Sequence, residues 1–247
     1  MEGLEHSLVA VEFFNKIFGP PLASFLGLFG VKVHDPLHLF PDYVVMVILV
    51  TAVLIVVLSL ASRKLTVIPS KRQSVLEMIY GLFESLAMDT IGPGGKTYVP
   101  VIGTVGLFIF SCNLIGLVPG FMSPTSKLNV TVGCALVVFL YYHVQGVRAQ
   151  GLKYFKQFMG PIPALAPLMI PIEIISHFSR PISLSMRLFG NIFSEELLIV
   201  IMASIIPFLL PLPFMAVAIF TAVVQAFVFV LLACIYIAGA VAQEEGH

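Results

Sequence analysis

From Pro161 to Ala242 the chain is almost continuously apolar: Asp, Glu, Lys and Arg occur there only at Glu173, Arg180, Arg187, Glu195 and Glu196. One transmembrane helix needs about 20 mostly apolar residues, so this block is long enough for two crossings. Three more runs of spanning length precede it. In lipid the backbone must satisfy its own hydrogen bonds, as a helix or a closed barrel, and nothing in the sequence alternates with the period of two that barrel strands require. The fold class is therefore an all-α membrane protein of about five transmembrane helices, with spans near 43–61, 99–118, 129–147, 163–206 and 209–242. The last two crossings form a long hairpin, and Pro207, Pro211 and Pro213 mark its turn because each removes a helical hydrogen bond. Composition agrees. Charged residues are 11% of the chain, where water-soluble domains carry about a quarter, and the mean hydropathy is +1.04.

Basic residues of short loops orient the spans. The connector 62–98 holds Arg63, Lys64, Lys71, Arg72 and Lys96, and 148–160 holds Arg148, Lys153 and Lys156, whereas the opposite side receives only Lys16, Lys32 and Lys127. Residues 1–42 are then an external segment, 43–247 a single membrane domain, and the C-terminus cytoplasmic. The start, MEGLEHSLVAVEFF, is acidic where a secretory signal would be basic, so it is expected to be retained. Between the first two spans, residues 73–90 read as an amphipathic helix at the cytoplasmic interface, with Val75, Ile79, Leu82 and Leu86 on one face and Glu77 and Glu84 opposite. It either packs on the ends of its neighbours or touches a partner. The string TIGPGGKT at 90–97 imitates a phosphate loop but has Thr90 in place of the first Gly and no preceding strand, so its glycines read as a flexible break. No ATP chemistry is expected on this chain, and no cofactor. A balance of 13 Lys+Arg against 13 Asp+Glu removes the basic excess that a nucleic-acid partner requires. Cys112, Cys134 and Cys234 lie far apart, without metal-ligand spacing, and read as core thiols.

The segment PIEIISHFSRPISLSMRLFGNIFSEELLIV, residues 171–200, places ionisable groups inside a span. A charge at the bilayer centre costs roughly 2.5–3.5 kcal/mol even on the lenient insertion scale. On one continuous helix Glu173, His177, Arg180, Arg187, Asn191 and Glu195 fall within a sector about 80° wide, although Pro181 is a candidate bend. Arg187 is central, about 20 Å along the axis from Glu173 and about 12 Å from Glu195. An internal salt-bridge network is the simpler alternative, but Glu195 is two turns from Arg187, too far for a comfortable pair on one helix. An intramembrane cation without a local partner points to function. His177 reads either as an uncharged packing residue or as a proton-transfer group. Gln225, in the returning helix, is an amide that needs partners inside the bundle and can reach the Arg187 stripe.

At these residues the sequence resembles the subunit a family of F-type ATP synthases, the stator half of the membrane proton channel. The similarity is carried by SRPISLSMRLFGNIFSEEL (179–197) and VQAFVF (224–229), with further likeness in SCNLIGLVPGF (111–121) and LNVTVGCALVVF (128–139). The resemblance extends from about residue 35 and implies that the essential arginine is Arg187, the asparagine Asn191 and the last-helix glutamine Gln225. The outer acidic position falls on Glu196, beside Glu195, the inner acidic position on Glu173, and a serine near the arginine on Ser183. Some members carry a histidine seven residues before the glutamine; here that position is Ala218, which leaves Glu195 as a substitute. The helical wheel favours Glu195 as the facial companion of Arg187, and the motif favours Glu196.

The resemblance implies two aqueous half-channels, an outer one at Glu196 and Glu195 and an inner one near Glu173 and His177, separated by Arg187. It also implies partners: the rotor ring of c subunits, the peripheral-stalk b subunits, the other synthase subunits and the lipid bilayer of a bacterial inner membrane. The rival class is a secondary transporter or self-contained proton channel, but the inverted repeats common in transporters are not found in the sequence.

Overall fold

The computed structural model describes residues 11–12, 14–17, 19–20, 40–63, 66, 69–118, 121–151, 154, 166–207 and 209–241. Most of the N-terminal segment, the basic residues Lys32, Lys64, Lys153 and Lys156, and the tail 242–247 lie outside them. Six helices follow: α1 Asp42–Ser62, α2 Lys71–Ile91, α3 Val99–Ile115, α4 Leu128–Gln150, α5 Ala166–Ile205 and α6 Pro211–Val241. No strand occurs among the described residues. Five stretches are long and apolar enough to cross a membrane: α1, α3 with the short 3-10 turn Gly95–Tyr98 before it, α4, α5 and α6. Their limits agree with the spans read from sequence to within a few residues. Pro211 and Pro213 sit in the first turn of α6, where the missing N–H has no intrahelical partner to lose. α5 runs unbroken through Pro171 and Pro181.

The bundle is built from α4, α5 and α6, each packed on the other two, with α3 packed against α6 and α1 leaning on α3. α6 is the most buried long helix and α5 the least. Ile109 of α3, Ala135 and Val138 of α4, Leu184, Leu188 and Ile192 of α5, and Ala226 and Phe229 of α6 make the central core. A second core gathers the C-terminal half of α6 from Val230 to Ala240, the start of α3, Tyr142 of α4, Tyr154 and Ala87 of α2. The alanines on α6 let its neighbours approach closely, as expected where helices associate in lipid by van der Waals packing. At the other end, Ser123 donates to the Cys112 carbonyl at 2.9 Å and Thr125 donates to the Asn113 side-chain oxygen at 2.7 Å, tying the α3–α4 connector into the bundle.

α2 forms over the segment read as an interfacial amphipathic helix. The face that α2 turns to the bundle is marked by Gln73 and Ala87, both buried, with Phe83 half-buried, whereas Val75 and Leu82 of the expected stripe are 55% exposed. Met78 and Tyr80 are also exposed, so α2 is apolar on more than one side and its wheel does not choose between them. The glycines after α2 serve geometry rather than flexibility. Gly92 closes the helix at φ 94°, the left-handed region that glycine adopts without strain, and its N–H bonds the Met88 carbonyl at 3.0 Å. At Gly95 an added Cβ would lie 2.5 Å from the Ala87 carbonyl oxygen.

Candidate functional site

The hairpin of α5 and α6 brings the polar residues of two long apolar helices together. Leu184, Leu188, Ile192 and His177 of α5 are buried, and the ionisable stripe runs along the margin of that buried face. Arg187 and Asn191 lie on its open side, exposed, with Ser183 exposed one turn before the arginine. Arg187 has no hydrogen-bond or ion-pair partner among the described residues. A guanidinium carries five donors and a fixed charge, and in a span such a group is costly without a partner.

Asn191 is fixed instead by the returning helix. Its side-chain amide donates to the Gln225 oxygen at 2.8 Å, the link expected from the hairpin. Gln225 is only 3% exposed, and its own amide nitrogen finds no acceptor among the described residues. A buried unpaired donor costs about 1–3 kcal/mol, which marks the spot beside Arg187 as electrically unfinished in the isolated chain. Two turns after Arg187, Glu195 faces the Thr221 hydroxyl of α6, which in turn donates to the Val217 carbonyl at 3.1 Å. Glu196 is half-exposed on a different side of α5, and Ala218 is buried. The two neighbouring carboxylates therefore face different surroundings.

On the other side of Arg187 the stripe enters a cluster that the sequence does not announce. His177 Nδ1 lies 3.2 Å from the Tyr142 hydroxyl, and His177 Nε2 lies 3.4 Å from Glu173 Oε1. The Arg180 guanidinium stands 5.4 Å over the Tyr236 ring of α6. His143 of α4 stacks its ring within 5.3 Å of the His177 ring, and its Nδ1 is 2.7 Å from the Tyr154 hydroxyl. Burial holds the Tyr154 hydroxyl above its ordinary pKa, against the opposing pull of Arg180, so it remains a donor. Gly146 makes the approach feasible, because a Cβ there would come within 2.5 Å of the Tyr154 ring. Tyr142, His143 and Tyr154 are absent from the sequence-derived set. The available signal was the string YYH at 141–143, two hydroxyls and an imidazole inside an otherwise apolar span.

Comparison with known proteins places this geometry in a family. The ATP synthase A chain family matches residues 44–238, a stretch that contains every residue of the stripe and of the α6 face opposite it. The chain belongs to this family. The ATP synthase subunit a of Geotalea daltonii is 48% identical over 199 residues, covering 81% of this chain and 86% of that protein. That of Campylobacter jejuni is 44% identical over 216 residues, covering 86% and 95%. That of Geobacter sulfurreducens is 42% identical over 242 residues, covering 98% and 99%, so its likeness to this chain includes most of the N-terminal segment.

Proposed function

We propose that the chain is the proton-translocating stator subunit of a rotary ATP synthase, working against a rotor of carboxylate-bearing subunits. It is a multi-pass membrane component without catalytic ATP chemistry of its own, and the family match and its relatives' names support that role. The observation that carries the reading is Arg187: a permanent cation in a spanning helix, turned outward, without an anion among the described residues, beside the Asn191–Gln225 pair.

A rotor carboxylate that reaches this position deprotonated meets the Arg187 guanidinium, which lowers the cost of carrying its charge through the low-dielectric middle. Because the guanidinium does not give up its proton, it cannot pass one on, and it interrupts any proton wire between the two sides. Protons reach the rotor carboxylate from outside by way of Glu196 and Glu195, and leave it toward the cytoplasm near Glu173 and His177, with Ser183 lining the approach to the arginine. Each charge moved through 100 mV is worth about 2.3 kcal/mol, so several must pass for each nucleotide made on the other chains. The peripheral-stalk b subunits hold the chain against the turning ring.

Mass spectrometry of the intact complex tests the assignment. The chain is expected beside a multicopy hairpin protein of about 80 residues, enough for two spans. Isolation of the chain in a stable complex that contains no multicopy two-span protein overturns it.

Orientation follows from the basic connectors: the N-terminus lies outside and the C-terminus in the cytoplasm of a bacterial cell. In a background lacking the three native cysteines, a cysteine introduced at Gly246, outside the described residues, is expected to resist membrane-impermeant thiol reagents added to intact cells. Labelling from outside contradicts the five-crossing orientation.

A further inference from the structure

The connector between α1 and α2 gathers cations where a helix least favours them. α2 begins with Lys71 and Arg72 and carries no acid in its first turn. The macrodipole makes that end positive, so two cations there raise its energy unless an anion sits beside them. The backbone adds to the demand. The Ser70 hydroxyl accepts only the Gln73 N–H, at 3.5 Å, and the N–H groups of Lys71 and Arg72 have no acceptor among the described residues. Arg63, the first residue beyond α1, joins them. Together with Leu60, Ala61, Thr66 and Ser70, these three cations border one cleft of about 690 Å³, a size ordinary for a ligand site. None of the three has an ion-pair partner among the described residues.

The course of the connector past the cleft is fixed by Gln73, which is buried. Its side-chain oxygen accepts the Thr66 N–H at 3.0 Å and its amide donates to the Thr66 carbonyl at 2.9 Å. The same amide donates to Glu77 Oε1 at 2.8 Å, which engages the first acid of α2. Beyond the cleft α2 turns apolar side chains outward. Val75, Met78 and Leu82 are exposed and, by helical spacing, share a face with Lys71, opposite Gln73 and Ala87. Such a face suits lipid rather than water.

We propose that Arg63, Lys71 and Arg72 bind one anionic phospholipid, with its phosphate at the start of α2 and its glycerol esters against Leu60 and Ala61. Charge, place and polarity agree. The cleft is cationic on one side and apolar on the other, as an amphiphile requires, and it lies at the end of the α1 span Asp42–Ser62, at headgroup depth. Arg63 offers a planar fork matched to phosphate oxygens, and Lys71 and Arg72 add charge beside free helix N–H groups. The orientation read from the basic connectors puts the cleft at the cytoplasmic leaflet, where anionic lipids gather basic segments. That bias accounts for cations on this side of the membrane, but not for three of them around one cleft. An acidic peptide would match the cations alone, whereas a phospholipid also matches Leu60, Ala61 and the outward stripe of α2. The inference is independent of the roles given to Arg187 and the half-channels.

The test uses the intact complex in phosphatidylcholine vesicles with a trace of phosphatidylglycerol that carries a photoactivatable group beside its glycerol. Labelled peptides are identified by mass spectrometry after illumination. Labelling of residues 60–72 is expected to saturate at one lipid per chain, and unlabelled phosphatidylglycerol should compete where excess phosphatidylcholine does not. Half-competition should need about fivefold more phosphatidylglycerol in Arg63→Gln, Lys71→Gln or Arg72→Gln and about 10²-fold more in the triple variant, as follows from the worth of each basic residue beside an anionic lipid. All three side chains are exposed, so the single substitutions leave the fold in place. Arg148→Gln, which removes a cation of the other basic connector, should change nothing.

Equal labelling of residues 60–72 by a phosphatidylcholine probe, or unchanged affinity in the single and triple variants, overturns the inference. So does an effect of Arg148→Gln as large as that of Arg72→Gln, which marks general surface attraction without a site. Competition by soluble glycerophosphate as effective as that by the lipid makes the cleft a plain anion site and also overturns it. A photoreactive residue in place of Ala61 is expected to attach to lipid; attachment to another subunit instead assigns the cleft to a protein partner and removes the lipid.

Discussion

Replacing Arg187 by Ala is expected to abolish ATP-driven proton pumping in membrane vesicles while leaving the complex assembled. The side chain is exposed on α5, outside the core formed by Leu184, Leu188 and Ile192, so its removal opens no cavity. What it removes is the fixed charge that, in the proposed mechanism, meets a carboxylate passing mid-membrane. An unpaired charge there costs roughly 2.5–3.5 kcal/mol, which corresponds to about 10²-fold in the rate of passage. Two readouts should change in opposite directions. Pumping falls to background, and passive proton leak through the membrane sector rises, because the group that interrupts the wire between half-channels is gone. Arg187→Lys is expected to restore pumping only in part, since an ammonium is a compact point charge with three donors and lacks the planar guanidinium fork that meets a carboxylate. The measurement is acidification of vesicles driven by ATP, with leak followed separately after an imposed pH gradient. Normal pumping by Arg187→Ala removes the central role given to this residue.

The parts of this architecture that depend on one segment at a time were legible in the sequence. A charge-free run of spanning length is a helix whatever it packs against, which is why the five crossings agree so closely with the apolar runs. Arg187 was legible for a related reason: its cost in lipid is set by the surroundings of its own helix. Gln225 could be carried back toward the Arg187 stripe because a hairpin with a proline-marked turn lays two antiparallel helices side by side, and its partner there is Asn191. Contacts that require three segments were not legible. Tyr142 meets His177 only because α4 packs beside α5 at that level, and Tyr154 reaches His143 only because Gly146 carries no side chain. The side of α2 that the bundle covers was left open by the sequence for a different reason. With Val75, Met78 and Leu82 exposed and Phe83 and Ala87 turned inward, apolar residues surround much of the helix, and the hydrophobic pattern alone does not select the side that the bundle covers.

Two adjacent carboxylates of the proposed outer half-channel differ in their surroundings. Both are half-exposed, but Glu195 is beside Thr221 of α6, next to a helix surface where Ala218 offers no titratable partner, while Glu196 lies on another side of α5. A group that loads protons onto a rotor must exchange them with the outside water and need not be held by a neighbour, which favours Glu196. Glu196→Gln keeps size and hydrogen-bonding capacity but cannot accept a proton, so pumping is expected to fall by on the order of tenfold to 10²-fold. Leak should stay low because Arg187 is untouched. Glu196→His, which restores a group titrating near neutrality, should pump faster than Glu196→Gln. Glu195→Gln should cost less than Glu196→Gln, since an amide can still pair with Thr221. All three are to be compared by ATP-driven pumping per assembled complex, with leak measured in parallel. If Glu195→Gln is the slower variant and Glu196→Gln pumps normally, the loading site is Glu195 and Thr221 is part of it. If both pump normally, the outer path runs along other side chains, and the exposed hydroxyl of Ser194 beside them is the next group to replace.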